Sequence, residues 1–167
     1  LAIDNERVIC YGTTWGQTTS TRSGFDDEIN AAWRAALQLT ADWKAVLMVS
    51  MHPHEAPTNE QAYVDGLKTA SLPGLVTRQH FPMLLRAADV YVKSGPSNGC
   101  VVAALAGCPS VYIQTDGFDF QHELPFRCKV EDLQATAQLA IDSTHDPKWQ
   151  DFIGYYNAAH PDGGAPD

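Results

Sequence analysis

The sequence predicts an α/β fold in which a parallel sheet of about six strands carries helices on both faces. Short apolar runs alternate along the chain with longer segments of helical period, which is typical of strands joined by crossover helices. One of these runs, Ala45 to Val49, is apolar at every position, as a strand covered on both faces requires. The polar clusters of the sequence fall in the loops that follow the strands.

The strands are predicted from their short, apolar, β-rich composition. The third strand follows a Pro73-Gly74 break, and the fifth follows Gly107, which is the expected stop of the preceding helix. The predicted strands are 7–11, 45–51, 75–77, 89–93, 109–113 and 127–130.

The helices are predicted from their periodicity and their ends. In the first helix, Ile29, Trp33 and Leu37 lie on one stripe, and acidic residues in its first turn favour the positive end of the helix dipole. The fourth helix consists of small residues that can pack closely on a sheet. The predicted helices are 26–39, 59–69, 81–88, 98–106, 131–141 and 148–156.

Length and charge limit the number of domains and the kinds of partner. A chain of 167 residues that is 44% hydrophobic predicts one domain, here 1–160, followed by a flexible tail over 161–167. The net charge of −9 disfavours direct contact with nucleic acid or with an anionic membrane. Without a bilayer-length apolar run or a signal-like N-terminus, a cytoplasmic location is expected. The first residue is Leu1 rather than Met, which suggests a fragment or a processed chain.

The four cysteines are predicted to be reduced residues of the core. They form no CxxC pair and are widely spaced, and three of them lie in apolar segments, where a thiol behaves as a small hydrophobic group. They are Cys10, Cys100, Cys108 and Cys128.

The loop 94–99 is the most specific candidate for a binding site. In an open α/β sheet, ligands bind beyond the carboxyl ends of the strands. Gly95 lets an anion approach the backbone, and the polar groups of Ser94, Ser97 and Asn98 are suited to a diphosphate. A plain helix cap formed by Ser97 or Asn98 is the alternative interpretation.

The loop after the first strand offers further polar groups. Gly12, Thr13 and Thr14 are suited to contact with a phosphate or an acceptor, although an ordinary loop between a strand and a helix has the same composition. The loop is neither a Walker motif nor GxGxxG, which disfavours a nucleoside triphosphatase.

His52 comes directly after a buried strand and precedes a proline, so its imidazole is expected at the carboxyl edge of the sheet. Both a general base and a hydrogen-bond donor to phosphate are consistent with this position. His54 and Glu55 make a metal site conceivable, but the spacing provides no third ligand, so neither a metal nor another cofactor is expected. For His80, an ordinary loop histidine is slightly preferred over a site residue.

Several segments together form a pattern, namely 8–15, 51–53, 87–92, 94–98 and 106–111, with Asp116 after the last of them. This pattern resembles the C-terminal, Rossmann-like nucleotide-binding half of the GT-B-fold transferases. It is closest to the CDP-glycerol glycerophosphotransferases and related capsule or teichoic-acid enzymes, and the resemblance covers roughly 7–120.

The resemblance implies that a nucleotide-diphosphate donor, linked to UDP or CDP, lies on this domain. His52 would contact or protonate the leaving phosphate, the loop from Arg78 to His80 would border the base, and Asp116 matches an aspartate of the family. The donor phosphates would be held by Ser94, Gly95, Ser97 and Asn98.

The resemblance also implies a missing half. A GT-B active site lies between two Rossmann-like domains, so an acceptor-binding N-terminal domain or a partner chain is expected to complete it. The isolated domain is then expected to be inactive or weakly active, as the donor-binding part of a glycosyltransferase or glycerophosphotransferase. The alternatives are a sugar-nucleotide epimerase and a non-catalytic, flavodoxin-like binding module.

Overall fold

One parallel sheet forms the centre of the protein. The computed structural model describes residues 7–14, 23–95, 98–114, 124–143, 150, 151 and 154, and for 23–29 it describes the backbone alone. Within these residues the strands are β1 (Val8–Gly12), β2 (Val46–Ser50), β3 (Gly74–Thr77), β4 (Val90–Ser94), β5 (Ser110–Ile113) and β6 (Arg127–Cys128). Their order in the sheet is β3-β2-β1-β4-β5-β6, and all neighbouring pairs are parallel.

Helices cover both faces of this sheet, as the sequence predicts. In the described part of the chain they are α1 (Ser23–Asp42), α2 (Asn59–Thr69), α3 (Phe81–Ala87), α4 (Gly99–Leu105) and α5 (Leu133–Asp142). Buried side chains of α1, α2 and α5 pack in one hydrophobic core, whereas α3 and most of the buried residues of α4 pack in the other.

Alternation along the strands separates the two cores. Ile9 and Tyr11 of β1 lie in the core beneath α1, while Cys10 between them lies in the core on the opposite face. In β4, Val90 and Val92 lie with α1, and Tyr91 lies with α4. This alternation is the period-two geometry of a strand, and burial on both faces explains why these strands are mostly apolar.

The ends of several elements differ from the predicted ones. Helix α1 covers 23–42 rather than 26–39, because an apolar stripe marks the buried face of a helix and not its polar first and last turns. Strand β6 was predicted as 127–130 but ends at Cys128, since β5 offers partners only to Arg127 and Cys128. A short 3-10 helix, Val130–Asp132, follows it.

Only three residues of the predicted C-terminal helix and tail are described. Positions 150, 151 and 154 of the predicted helix 148–156 are helical, and the remainder of that helix and the tail 161–167 lie outside the described residues.

The predicted state of the cysteines is confirmed, because all four are buried free thiols. In the part of the chain that the structure describes, no helix is long and apolar enough to span a membrane. The same residues contain no cluster of three or more histidine, cysteine or acidic side chains suited to a metal ion.

Candidate functional site

The candidate site lies where the strand order reverses. The connections from β1 to β2 and from β4 to β5 run in opposite directions, and in open α/β sheets the ligand-binding crevice lies at the carboxyl edge of the sheet at such a point. Gly12 at the end of β1 is in register with Ser50 on one side and with Lys93 on the other. The residues after these strands therefore meet at one place.

Thr13 joins the segments around this crevice. Its backbone N–H donates to the Ser50 carbonyl at 3.0 Å, and its hydroxyl accepts the backbone N–H of His52 at 2.8 Å. The same hydroxyl donates to the Glu55 carboxylate, and the Thr13 carbonyl accepts a hydrogen bond from the Lys93 ammonium. Thr13 is 2% exposed, so its side chain holds the site together from within.

Glu55 is a buried acceptor in the loop between β2 and α2. The residue is 2% exposed. Its carboxylate accepts hydrogen bonds from three side chains: the Thr13 hydroxyl, the Asn59 amide at 3.1 Å and the Tyr63 hydroxyl at 2.8 Å. A buried carboxylate requires such donors, because removing it from water without them is costly. Glu55 thereby links the loop after β1 to the first turns of α2.

Lys93 is the charged residue of β4, and it is 1% exposed. Its ammonium donates to the Thr13 carbonyl and to the Thr14 hydroxyl at 2.9 Å. Burial lowers the pKa of Lys93 to about 8, against the smaller opposing effects of Cys100 and Glu55. A cation is therefore held directly beneath the loop after β1 at neutral pH.

Thr14 and Gly95 close the other side of the crevice. The Thr14 hydroxyl donates to the Ser94 carbonyl at 2.5 Å, which fixes the end of β4 against the loop after β1. Gly95 has φ +73°, and an added Cβ would lie 2.9 Å from Thr14 Cγ2. The close approach of the two loops and the positive φ thus both require glycine here.

His52 is half-buried at the edge of the crevice. Its Nδ1 accepts the backbone N–H of His54 at 3.2 Å, so the proton of the neutral ring is assigned to Nε2. Burial, the Lys93 charge and His54 lower the pKa of His52, and Glu55 opposes them. A neutral ring with Nε2–H is a hydrogen-bond donor, which favours contact with phosphate over the general-base role that the sequence left open.

Arg78 fixes the backbone of the loop that carries His52. Its guanidinium donates to the carbonyls of His52 at 3.2 Å, Glu55 at 2.9 Å and Ala56 at 3.0 Å. It also lies 3.7 Å from the Glu60 carboxylate. The Arg78 side chain, expected to border a base, is thus engaged with the loop after β2.

Six of the residues singled out in the sequence lie together at the crevice: Gly12, Thr13, Thr14, His52, Ser94 and Gly95. Asn98 is exposed at the N-cap of α4 and makes no side-chain cap hydrogen bond, so the plain-cap interpretation is wrong for this residue. His80 is the exposed N-cap residue of α3, with φ +65°. Ser97 and Asp116 lie outside the described residues.

Two central residues were missed in the sequence as members of this site. Lys93 carries a detectable signal, because a lone charge in a strand that must be buried on both faces needs a special partner. In the sequence, Glu55 stands out only as a neighbour of two histidines. One of the donors that make it a buried acceptor is the hydroxyl of the distant Thr13, which no local pattern indicates.

Comparison with known proteins gives a similarity of fold. Neither a protein-family model nor a curated protein matches this chain. Among solved structures, the wall teichoic acid polymerase TagF matches 92% of this chain with a TM-score of 0.56 at 13% sequence identity. The likeness supports a GT-B-like fold. A TagF variant with one histidine replaced by alanine matches 93% of the chain, with a TM-score of 0.57 and again 13% identity.

The likeness to TagF covers only part of that protein. The present chain spans 39% of the TagF chain. At 13% identity the similarity concerns the fold alone, and it supports the predicted Rossmann-like, GT-B-like architecture without assigning a specific family.

Proposed function

We propose that this domain binds a nucleotide-diphosphate-activated donor in the crevice between the loops after β1 and β4. The domain then forms the donor-binding part of a glycosyltransferase or glycerophosphotransferase. The observation that carries the proposal is the strand order, because ligands of open α/β sheets bind where that order reverses, here between β1 and β4. The likeness to a wall teichoic acid polymerase supports the same class of reaction.

The side chains at the crevice are suited to an anionic ligand. His52 offers Nε2–H, and the cation of Lys93 lies beneath Thr13 and Thr14. Gly95 adds no side chain where a phosphate would approach the backbone. In a transferase these groups would stabilise the negative charge that develops on the leaving diphosphate.

Turnover is proposed to need more than this domain. The chain spans 39% of the TagF chain, and GT-B-type catalysis takes place between two Rossmann-like halves. We therefore place the acceptor on another domain or on a partner chain, and we expect the domain by itself to bind the donor nucleotide with little or no transfer.

The test is calorimetry of the domain with UDP, CDP, GDP and ADP. Saturable binding of one diphosphate is expected, and His52→Ala should weaken it about ten- to a hundredfold, since a hydrogen bond to a charged group contributes about 1.5–3 kcal/mol. His52→Gln, which keeps a side-chain N–H donor, should retain more of the affinity than His52→Ala. Lys68→Ala is the control, because Lys68 is exposed in the last turn of α2, away from the crevice.

Two outcomes would contradict the proposal. Equal affinity of His52→Ala and the unmodified domain would remove His52 from the site. Absence of binding to every diphosphate, in the domain alone and in a protein that includes its acceptor-binding partner, would favour a non-catalytic binding module.

A further inference from the structure

Two buried, oppositely charged side chains lie behind His52. Glu55 and Lys93 are 2% and 1% exposed, and both form hydrogen bonds with Thr13. Such groups are costly to bury, and apolar residues of similar size would fill the same space. Their position directly behind the crevice points to a role in the site rather than in stability.

Glu55 acts on His52 through the Thr13 hydroxyl. A hydroxyl has one proton, and here it is donated to the Glu55 carboxylate. The oxygen lone pairs are then directed elsewhere, and one of them accepts the backbone N–H of His52 at 2.8 Å. Glu55 thus sets the rotation of the hydroxyl that holds the His52 backbone.

Lys93 acts on the same threonine from the other side. Its ammonium donates to the Thr13 carbonyl and to the Thr14 hydroxyl at 2.9 Å, and so fixes the backbone that carries the threonine hydroxyl. Its charge remains close enough to affect the imidazole of His52.

We infer that Glu55 and Lys93 are positioning residues for His52, which act through Thr13 to hold the imidazole at the crevice as a hydrogen-bond donor. The use of that donor for a diphosphate rests on the proposed function. The effect of Glu55 and Lys93 on the imidazole is independent of the proposed function, and it can be measured without any ligand.

The two charges have opposite effects on the protonation of His52. Among the described residues, the titratable and charged groups around it are Lys93 from β4, His54 and Glu55 from its own loop, and Arg78 from the loop after β3. After burial, which has the largest effect, Lys93 lowers the pKa of His52 and Glu55 raises it. Burial and the Lys93 charge therefore both favour the neutral ring, and Glu55 opposes them.

The experiment is an NMR titration of the His52 imidazole in the free domain, with the resonance assigned by its loss in His52→Gln. Lys93→Met should raise the pKa of His52, and Glu55→Gln should lower it. General loosening of the site would expose the ring and raise the pKa in both variants, so opposite shifts require that both charges act on a ring that stays in place. Lys68→Met and Glu131→Gln, which remove exposed charges elsewhere, should leave the pKa unchanged.

Thr13→Val keeps both charges but removes the hydroxyl that accepts the His52 N–H, and it should raise the pKa of His52 because the ring is released to solvent. An unchanged pKa of His52 in Thr13→Val would overturn the role of Thr13.

A second variant keeps the test valid if Lys93→Met fails to fold. Lys93→Arg keeps the positive charge, and it should keep the pKa of His52 close to that of the unmodified domain. Shifts of the same sign in Lys93→Met and Glu55→Gln, or shifts no larger than those of the two controls, would overturn the inference.

Calorimetry with UDP and CDP on the same proteins separates this inference from the proposed function. If the opposite shifts are found but no diphosphate binds, the positioning role holds and the proposed ligand is wrong. If a diphosphate binds and the opposite shifts are absent, the ligand is supported and the positioning role is wrong.

Discussion

Single side chains hold the loops around the crevice in shape. Arg78 is the clearest case, because its guanidinium reaches three carbonyls of the loop after β2. The planar fork of an arginine suits this arrangement, since one side chain presents several N–H groups in fixed directions. The loop that carries His52 and Glu55 thus depends on a residue from a different loop.

Removal of this guanidinium should destabilise the domain. We expect Arg78→Ala to lower the free energy of unfolding by about 1–3 kcal/mol, because backbone carbonyls that are partly buried lose a charged donor. The free energy of unfolding of Arg78→Lys should lie between those of Arg78→Ala and the unmodified domain, since an ammonium keeps the charge but cannot reproduce the planar fork of a guanidinium. Urea denaturation measures the effect, and Arg86→Ala, at an exposed position of α3, is the control. Equal stability of Arg78→Ala and Arg86→Ala would refute this role.

Among the elements, β1 and β4 pack closely at Gly12. An added Cβ at Gly12 would overlap the Tyr91 hydroxyl and lie 2.7 Å from Tyr91 Cζ and 3.0 Å from Lys93 Cδ. Both neighbours are buried and belong to the adjacent strand, so neither can move away without disturbing β4. Glycine at the end of β1 is a packing requirement.

Gly12→Ala should therefore destabilise the domain by about 1–3 kcal/mol or more, as overpacking of a core does. It should also weaken binding at the crevice, because Lys93 is displaced with Tyr91. Gly154→Ala is the matched control, since no atom of the described residues lies within 4 Å of a Cβ at that position. Thermal unfolding of the two variants measures the difference, and a Gly12→Ala midpoint equal to the control would contradict the packing argument.

The strands and helices could be predicted from the sequence because their signals are local. A continuous apolar run marks β2, and the periodic stripe that contains Trp33 marks α1. The end of β6 could not be predicted in this way, because it is set by the length of β5, its partner in the sheet. The strand order was likewise not predicted, since it depends on pairing between distant segments.

The candidate site could be predicted only in outline. That polar loops converge follows from a parallel sheet, and Thr13, Thr14 and His52 do lie close together. The roles of Lys93 and Glu55 depend on partners far along the chain: Lys93 and Thr13 are 80 positions apart, and Glu55 and Thr13 are 42 apart. No local sequence pattern predicts hydrogen bonds between residues so far apart in the chain.

For the molecule as a whole, the buried thiols contribute to the change of stability at alkaline pH, in the same direction as Tyr11 and Tyr91, whose pKa values burial also raises. Burial raises the pKa of Cys100 and Cys108 from 9.0 to about 12 and that of Cys128 to about 11, and it raises the pKa of Cys10 further. Above pH 9 the unfolded chain ionises its thiols while the folded chain keeps them protonated. Stability is thus fully retained below pH 9 and is lost as the pH rises towards the folded pKa values.

The free energy of unfolding should therefore fall between about pH 9 and about pH 11, by up to roughly 1.4 kcal/mol per pH unit for each thiol. Lys93 opposes this fall, because its pKa is lowered from 10.5 to about 8 and the unfolded chain binds its proton more readily in that interval. Lys93→Met should make the loss steeper, and Cys100→Ala should make it shallower. Urea unfolding at several pH values provides the measurement, and stability that stays constant above pH 9 would refute the argument.

The hydrogen bonds around the crevice have a consequence for folding. Those from Lys93 to Thr13 and from Thr14 to Ser94 each join residues 80 positions apart. Contacts of this range form only after the intervening chain has been ordered, because closing a long loop costs entropy that local contacts do not. A partly folded chain in which β1, β2 and β3 have associated without β4 lacks these hydrogen bonds and the crevice they enclose. A ligand that binds there only after both halves of the sheet have assembled would raise the free energy of unfolding.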